Sequence, residues 1–483
     1  MDNKNIKSKV MSGIIWKFAE RVSAQLVTFI VSVVLARLLS PSHYGAIAIV
    51  NIFIALANVF VVSGFGNSLI QKKDADDTDF SSVFYFNILM SIGMYIVVYF
   101  CAPIIANFYS MPVLAPVFRV MGLRLIVAGI NSVQHAYVAR HMLFRRFFWS
   151  TLGGTIASGV VGIIMAYQGF GIWALAAQYM TNTTVDTIVL WFTVKWRPKL
   201  LFSLKRLGRM FSYGWKLLVS GLLDTGYNEL RSLVIGRMYT SEDLAYYNRG
   251  TSFPSLVVTN INASIQSVLF PAMANSQDKR EQVKAMCRRS IRTSSYIMFP
   301  LMAGLALVAE PFVKLLLTEK WLPCVPYLQI ACFRMAFMPV HTANLQAINA
   351  MGRSDIFLKL ETIKKIIGLI VLICVARFGV LAIAVSTAFM TIIISAINAY
   401  PNLKLLNYGY FEQLKDLFNG IIPLLLMSVV VFLIGLFDLK PLWEMSIQIL
   451  AGMLVYIGTS FVARNDSFQY IIYTGKGFIK KRG

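Results

Sequence analysis

SGIIWKFAERVSAQLVTFIVSVVLARL, residues 12–38, is long and apolar enough to cross a bilayer as one helix, yet it carries Lys17, Glu20 and Arg21. On a 3.6-residue helix Lys17, Arg21, Gln25, Thr28 and Ser32 recur at i, i+4, i+8, i+11 and i+15, so the polar groups share one face. A charge at membrane depth costs several kcal/mol, roughly 2.5–3.5 on insertion scales, so such a stripe turns toward protein or a wet cavity rather than lipid. Lys17, a turn or two from the start of the span, has the second option of snorkelling to the membrane surface. Arg21 lies one turn deeper.

The whole chain repeats this apolar theme. Of its 483 residues 57% are hydrophobic and only 14% charged, with mean hydropathy +0.65. That excludes a soluble globular protein and points to an all-α polytopic membrane protein. The first apolar run is too long and too charged internally for a signal peptide, so residue 1 is expected to be the mature start. Apolar runs of about 20 residues fall near 12–38, 43–69, 81–108, 113–138, 148–167, 171–194, 210–236, 251–274, 293–317, 325–350, 357–376, 379–401, 416–437 and 441–463, fourteen expected spans. With the N-terminus placed inside, the inner segments hold 31 of the 45 Lys and Arg, the outer segments seven and the spans seven. That bias predicts both termini in the cytoplasm and explains the net charge of +23 without nucleic acid. Cys101, Cys287, Cys324, Cys332 and Cys374 show no paired spacing, so neither a disulfide framework nor a metal site is expected. No connecting segment has room for a soluble catalytic domain. The chain is therefore expected not to be an enzyme.

An internal repeat organises the spans. Trp16-Lys17 returns as Trp215-Lys216, and Ala36-Arg37-Leu38-Leu39-Ser40 as Gly236-Arg237-Met238-Tyr239-Thr240. Arg124 in MGLRL (121–125) pairs with Arg334 in CFRMA (332–336), and GFGIWALA at 169–176 matches RFGVLAIA at 377–384. The matches predict an N-lobe of six helices (1–195), a basic amphipathic linker on the inner surface (196–209), a C-lobe of six (210–402), and two further helices with a basic tail (403–483). Six being even, the lobes are expected to be related by a pseudo-twofold along the membrane normal, with a site between them.

The seventh span echoes the first, with Lys216, Ser220, Asp224, Asn228 and Arg231 on one face and Glu229 beside them. Within the spans the cations Lys17, Arg21, Arg119, Arg124, Lys216, Arg231 and Arg334 outnumber the acids Glu20, Asp186, Asp224 and Glu229. A net-positive cavity favours an anionic ligand, because desolvated Arg makes bidentate charge-assisted bonds to phosphate. Lys17, Arg21, Arg124, Lys216, Arg231 and Arg334 are the expected substrate-binding set; Arg119, near the outer end, has a snorkelling role open to it. Asp224, Glu229 and Glu20 are candidates for coupling to H⁺ or Na⁺, with no other cofactor expected. A competing reading makes Lys216–Ser220–Asp224 and Glu229–Arg231 structural ion pairs. His43, His135, His141 and His341 show no metal spacing and are expected in loops or cavity walls. Gly64, Gly66, Pro254, Pro300, Gly304 and Pro339 are expected bends. GxGxxG, GxxxxGK[ST] and GxSxG do not occur, which leaves a nucleotide-driven pump and a serine hydrolase unsupported.

GIIWKF (13–18), ARLLSPSHYGAIAIVNIF (36–53), SGFGNSLIQ (63–71), DFSSVFYFN (79–87), GFGIWALAAQY (169–179), VLFPAMANSQ (268–277), Glu319-Lys320-Trp321 and INAMGRSD (348–355) follow one another in the order of a known family. Over 10–402 the chain resembles the bacterial polysaccharide transporter family of the multidrug/oligosaccharidyl-lipid/polysaccharide flippase superfamily. The resemblance implies a two-lobed, fourteen-helix flippase of the bacterial cytoplasmic membrane, moving undecaprenyl-diphosphate-linked oligosaccharides for capsule, exopolysaccharide, O-antigen or teichuronic-acid assembly. It implies membrane lipids as surroundings, and a polysaccharide polymerase and glycosyltransferases as pathway partners. Within the same superfamily a drug/cation antiporter would want a net-acidic or aromatic cavity. A membrane-embedded glycan polymerase or transferase would want a large, charged outer loop; the longest here, 237–250, has only Glu242 and Asp243 as acids.

Overall fold

The computed structural model of the chain describes residues 3–480 apart from 63 and 438, with the side chains of 3–15, 213, 419 and 474–480 outside the described set. The cationic segment expected at 1–11 and the last part, 474–483, of the one expected at 464–483 therefore lie outside the described side chains. Among the described residues there are only helices, turns and irregular segments. By contact the chain forms two compact units, Met1–Ala245 and Tyr246–Gly483.

The first unit holds α1 (Asn3–Leu38), α2 (Pro41–Val62), α3 (Phe65–Gln71), α4 (Asp77–Phe108), α5 (Leu114–Arg140), α6 (Phe144–Tyr167), α7 (Ile172–Thr193) and α8 (Leu204–Met238). α9 (Ser241–Ala274) leads into the second unit. There follow α10 (Arg280–Leu307), α11 (Ala309–Leu317), α12 (Val325–Ala336), α13 (Met338–Ala350), α14 (Ser354–Val375), α15 (Val380–Leu406), α16 (Tyr410–Leu417), α17 (Ile421–Ile434), α18 (Pro441–Val462) and α19 (Asp466–Lys480). All fourteen expected spans coincide with a helix or a broken helix. Among the described residues eight are long and apolar enough to cross a membrane, and two bent pairs, α10–α11 at 66° and α16–α17 at 50°, raise the number to ten. The remaining four, α7, α8, α12–α13 and α14, are more polar or are interrupted. α8 contains Lys216, Asp224, Glu229 and Arg231, α14 contains Lys359, Glu361, Lys364 and Lys365, and α12 gives way to α13 at Phe337. The bend between α10 and α11 falls at Val308 rather than at Pro300, which α10 accommodates.

In the first unit α6 is the central packing strut, contacting α1 on one side and α7 on the other. Small residues permit this: a Cβ on Gly154 would lie 2.9 Å from the Asn182 carbonyl oxygen of α7, and one on Gly159 would lie 2.4 Å from Val31 of α1. Where α2 stops, Gly64 has φ +97°, and a Cβ there would lie 2.6 Å from the Gly214 oxygen of α8.

At the basic end of this unit the 195–209 segment is neither free nor helical throughout. From Val194 to Arg197 buried and exposed residues alternate, the two-residue period of an extended strap. Trp196 goes into a core with Phe80, Phe84, Val138 and Leu207. The strap's Lys199 N–H donates to Ser81 Oγ and its Ser203 N–H to Ser82 Oγ, both at 3.0 Å. Three acids opening α4 receive its charges: Lys199 pairs with Asp77 at 2.5 Å, and Arg206 pairs with Asp76 at 2.6 Å and Asp79 at 3.5 Å. Asp76 and Asp79 also cap α4 reciprocally, and the Arg206 guanidinium holds the Asp76 carboxyl down to about 2. Buried Asp79 takes Lys72 as well, at 2.5 Å. The amphipathic linker is thus a clasp between the end of α7 and the start of α8.

The second unit has its own ionic knot. Asp416 of α16, with no exposed side-chain surface, meets Arg288 at 2.7 Å and Arg292 at 2.5 Å from α10, and accepts the Tyr408 hydroxyl at 2.9 Å. α17 and α18 join α10 through Tyr456, whose hydroxyl donates to the Tyr296 carbonyl at 2.7 Å.

Candidate functional site

On α1 the three charges separate in role. Lys17 Nζ pairs with Glu20 at 3.4 Å, and Thr151 of α6 donates to the other Glu20 oxygen at 3.2 Å. Lys17 lies 5.1 Å over the Phe147 ring and 5.9 Å over Phe144, so its charge is largely answered within the unit. Arg21 is exposed and has no hydrogen bond or ion pair among the described residues.

Arg124 occupies the middle of α5 in a polar, acid-free setting. Its Nε donates to Thr183 Oγ1 of α7 at 3.2 Å and its Nη1 to Asn51 Oδ1 of α2 at 3.3 Å, with Tyr179 at 5.2 Å from the guanidinium. It forms no ion pair among the described residues. A guanidinium has five N–H groups, and neutral acceptors take two of them at long distance. The rest of its donor capacity and its charge meet no partner among the described residues.

α8 presents Lys216 and Asp224 exposed, with Glu229 and Arg231 half-buried. Arg231 lies 5.8 Å over the Tyr227 ring. The structural pairing of Glu229 with Arg231 does not form, and Lys216 has no ion pair among the described residues. α1 packs chiefly on α6, and α8 on α2, α3 and α4, so the two stripes belong to separate packing neighbourhoods of the first unit. In the second unit Arg334 ends α12, and with Lys364 it acts electrostatically on His341 of α13. Around them runs an amide network: Asn344 bonds Gln413 at 2.8 Å and Asn402 at 2.6 Å, while Asn398 lies 3.3 Å from His341 Nδ1.

The four histidines divide between helix ends and helix interiors. His43 and His141 do sit at helix ends, the first 3.0 Å from Ser40 Oγ and the second bonded to the Tyr137 carbonyl at 2.9 Å. His341 and His135 are instead members of interhelical polar clusters. His135 Nε2 lies 3.1 Å from Asp186 Oδ2 of α7, and Asn131 donates to the same oxygen at 2.7 Å. The signal was present as Asn131/His135 at i, i+4 and Asn182/Asp186 at i, i+4, two polar pairs on facing helices. Among the described residues no group of three or more His, Cys, Asp or Glu is arranged to hold a metal.

Comparison with known proteins places this arrangement. The profile of the family described as "Polysaccharide biosynthesis protein" matches residues 34–326. The chain is similar to the teichuronic acid biosynthesis protein TuaB of Bacillus subtilis, 24% identical over 94% of this chain and 95% of that one. It is also similar to the lipopolysaccharide biosynthesis protein WzxC of Escherichia coli, 24% identical over 74% of each. Among solved structures a lipid II flippase, MurJ, in an inward closed conformation superposes with a TM-score of 0.75 over 93% of this chain and 99% of that one, at 18% identity. An inward-facing multidrug resistance transporter of the MATE family gives 0.61 over 79% and 94%, at 14% identity. The fold is that of these multi-pass, all-α membrane proteins, and the chain belongs to the polysaccharide biosynthesis protein family.

Proposed function

We propose that this member of the polysaccharide biosynthesis protein family is a flippase that carries undecaprenyl-diphosphate-linked oligosaccharide repeat units across the bacterial cytoplasmic membrane for surface polysaccharide assembly. The observation that carries the reading is Arg124, a mid-span guanidinium held by Asn51 and Thr183 with no carboxylate partner among the described residues. A permanent cation at that depth is costly unless an anion visits it, and a diphosphate is the anion that lipid-linked sugars bring. Arg21, Lys216, Arg231 and Arg334 join it as headgroup contacts, with Lys17 secondary because Glu20 already engages it. The relatives named for teichuronic acid and lipopolysaccharide biosynthesis support a glycan cargo. The surplus of span cations disfavours a drug/cation antiporter.

In this reading the repeat makes two six-helix lobes, 1–195 and 210–402, with the polar faces of the first and seventh spans lining one cavity by alternating access. Both termini are cytoplasmic, and an ion gradient, H⁺ or Na⁺, drives the cycle, with Asp224, Glu229 and Glu20 as carboxylates available to it. The chain carries out no bond chemistry; polymerase and glycosyltransferases act before and after it. Reconstitution with a fluorescent undecaprenyl-diphosphate oligosaccharide, followed by leaflet-selective quenching, tests the proposal. Translocation above protein-free vesicles is expected. Its absence, or conversion of the sugar itself, overturns the reading.

A further inference from the structure

We propose that Asp186 and His135 form the proton-carrying pair of the first unit, the place where proton movement is tied to substrate movement. The proposal rests on the flippase reading and deepens it. The two side chains come from different helices, α7 and α5, and meet 3.1 Å apart with Asp186 only 17% exposed and His135 46% exposed. One partner is therefore sequestered and the other open at the surface of the unit. Buried Ser150 of α6 reaches the same carboxylate, and Asn131 donates to it at 2.7 Å. His135 lies five residues before the end of α5, about 7.5 Å along the axis, within one or two turns of the basic end.

The geometry around the carboxylate suits a proton. Asp186 Oδ2 accepts the Asn131 amide at 2.7 Å and lies 3.1 Å from His135 Nε2. With Nε2–H bonded to Asp186, the neutral imidazole takes one proton at Nδ1 and the imidazolium stays on the carboxylate. Release at Nδ1 restores the pair, with water as the only co-reactant.

The second unit supplies an internal control. His341, 206 positions after His135 and on the corresponding span of the repeat, faces not an acid but the amide of Asn398, 212 positions after Asp186. Its charged neighbours are the cations Lys364 and Arg334. Each half thus sets a histidine opposite a polar side chain of its sixth span, about one turn out of the repeat's register, and only the first half makes that partner an anion.

A route from the pair to the substrate face exists within the same unit. The His135 ring packs 5.0 Å from Phe147, and Lys17 sits 5.1 Å over the same Phe147 ring, joined to Glu20, which Thr151 of α6 holds. Beside that ring lie Lys17 and Glu20 of α1, paired at 3.4 Å, while Arg145 of α6 packs on Trp16 at 5.4 Å. A change of charge at His135 is felt first by Phe147 and Lys17, and so by the polar face of α1.

The test uses full-length protein, wild type, Asp186→Asn and His135→Gln, each checked for monodispersity. In ¹⁵N-histidine-labelled protein four imidazoles are visible, and His135→Gln assigns one. Asp186→Asn, which removes the carboxylate 3.1 Å from Nε2, is expected to move that titration midpoint and leave the other three in place. In vesicles carrying the fluorescent undecaprenyl-diphosphate oligosaccharide, an imposed pH gradient is expected to speed wild-type translocation several-fold. Both variants should retain gradient-independent exchange and lose that acceleration, whereas a Na⁺ gradient should have no effect on any of the three. An unmoved His135 midpoint, or pH-gradient acceleration of Asp186→Asn equal to wild type, overturns the proposal. Vesicles in which wild type moves no lipid refute the flippase reading instead, and the titration still decides whether the pair exchanges a proton.

Discussion

Replacing Arg124 by Met tests the substrate reading most directly, because the change keeps the side chain's length and removes only its charge and donors. Within the protein the guanidinium makes two neutral hydrogen bonds, at 3.2 and 3.3 Å, to Thr183 and Asn51. Such bonds contribute about 0.5–1.5 kcal/mol each, and both acceptors are hydroxyl or amide groups that can find other partners in a wet face. The cost in stability is therefore about 1 kcal/mol, small enough for the variant to fold. A bond from a guanidinium to a phosphate contributes about 1.5–3 kcal/mol, which corresponds to an affinity loss of about 10- to 150-fold. Arg124→Lys should fall between, since an ammonium keeps the point charge and gives up the bidentate geometry. Titration of undecaprenyl diphosphate against detergent-purified protein by native mass spectrometry measures the ratio. If Arg124→Met binds within twofold of wild type, the inference from its acid-free setting to a diphosphate contact is wrong.

Three further outcomes follow from the packing. Gly154→Ala should lower stability by about 1–3 kcal/mol, because its Cβ would lie 2.9 Å from the Asn182 backbone oxygen. Gly153→Ala, whose nearest neighbour would be 3.9 Å away, should not, and paired melting curves in detergent distinguish them. Asp416→Asn leaves Arg288 and Arg292 without their carboxylate; because both arginines are about one-third exposed, about 3 kcal/mol is expected, the lower end for a broken buried pair, measured as a fall in melting temperature. The Asp76 carboxyl is held down to about 2 by Arg206, below its ordinary value of 3.8. Its contribution is accordingly complete above about pH 4 and lost as pH falls from there toward 2, a modest effect for a half-exposed pair. In Asp76→Asn that part of the melting-temperature profile should flatten.

Much of this molecule is legible without coordinates. A run such as 12–38 must become a helix in lipid, because every backbone N–H and C=O must be satisfied within the segment. The all-α class and the positions of the helices follow from composition and hydropathy alone, and the motifs along 10–402 carry the family. Charge on a helix face is legible too: Arg21 and Arg124 stand out because ionised groups are rare at that depth. Partnership is not. Periodicity places Lys17 and Arg21 on one stripe, but only the tertiary structure engages Lys17 with Glu20, Phe144 and Phe147 while leaving Arg21 open. The same holds for Asp186 and His135, 51 residues apart, whose meeting depends on α6 being slim enough at Gly154 for α7 to close on it. Hydropathy is a property of a segment and acts wherever the segment lies, so the sequence by itself determined the helices and their polar faces. A hydrogen bond needs two atoms within about 3 Å, a condition set by how several helices pack at once, and only the tertiary structure decided which charges are answered within the chain and which are not.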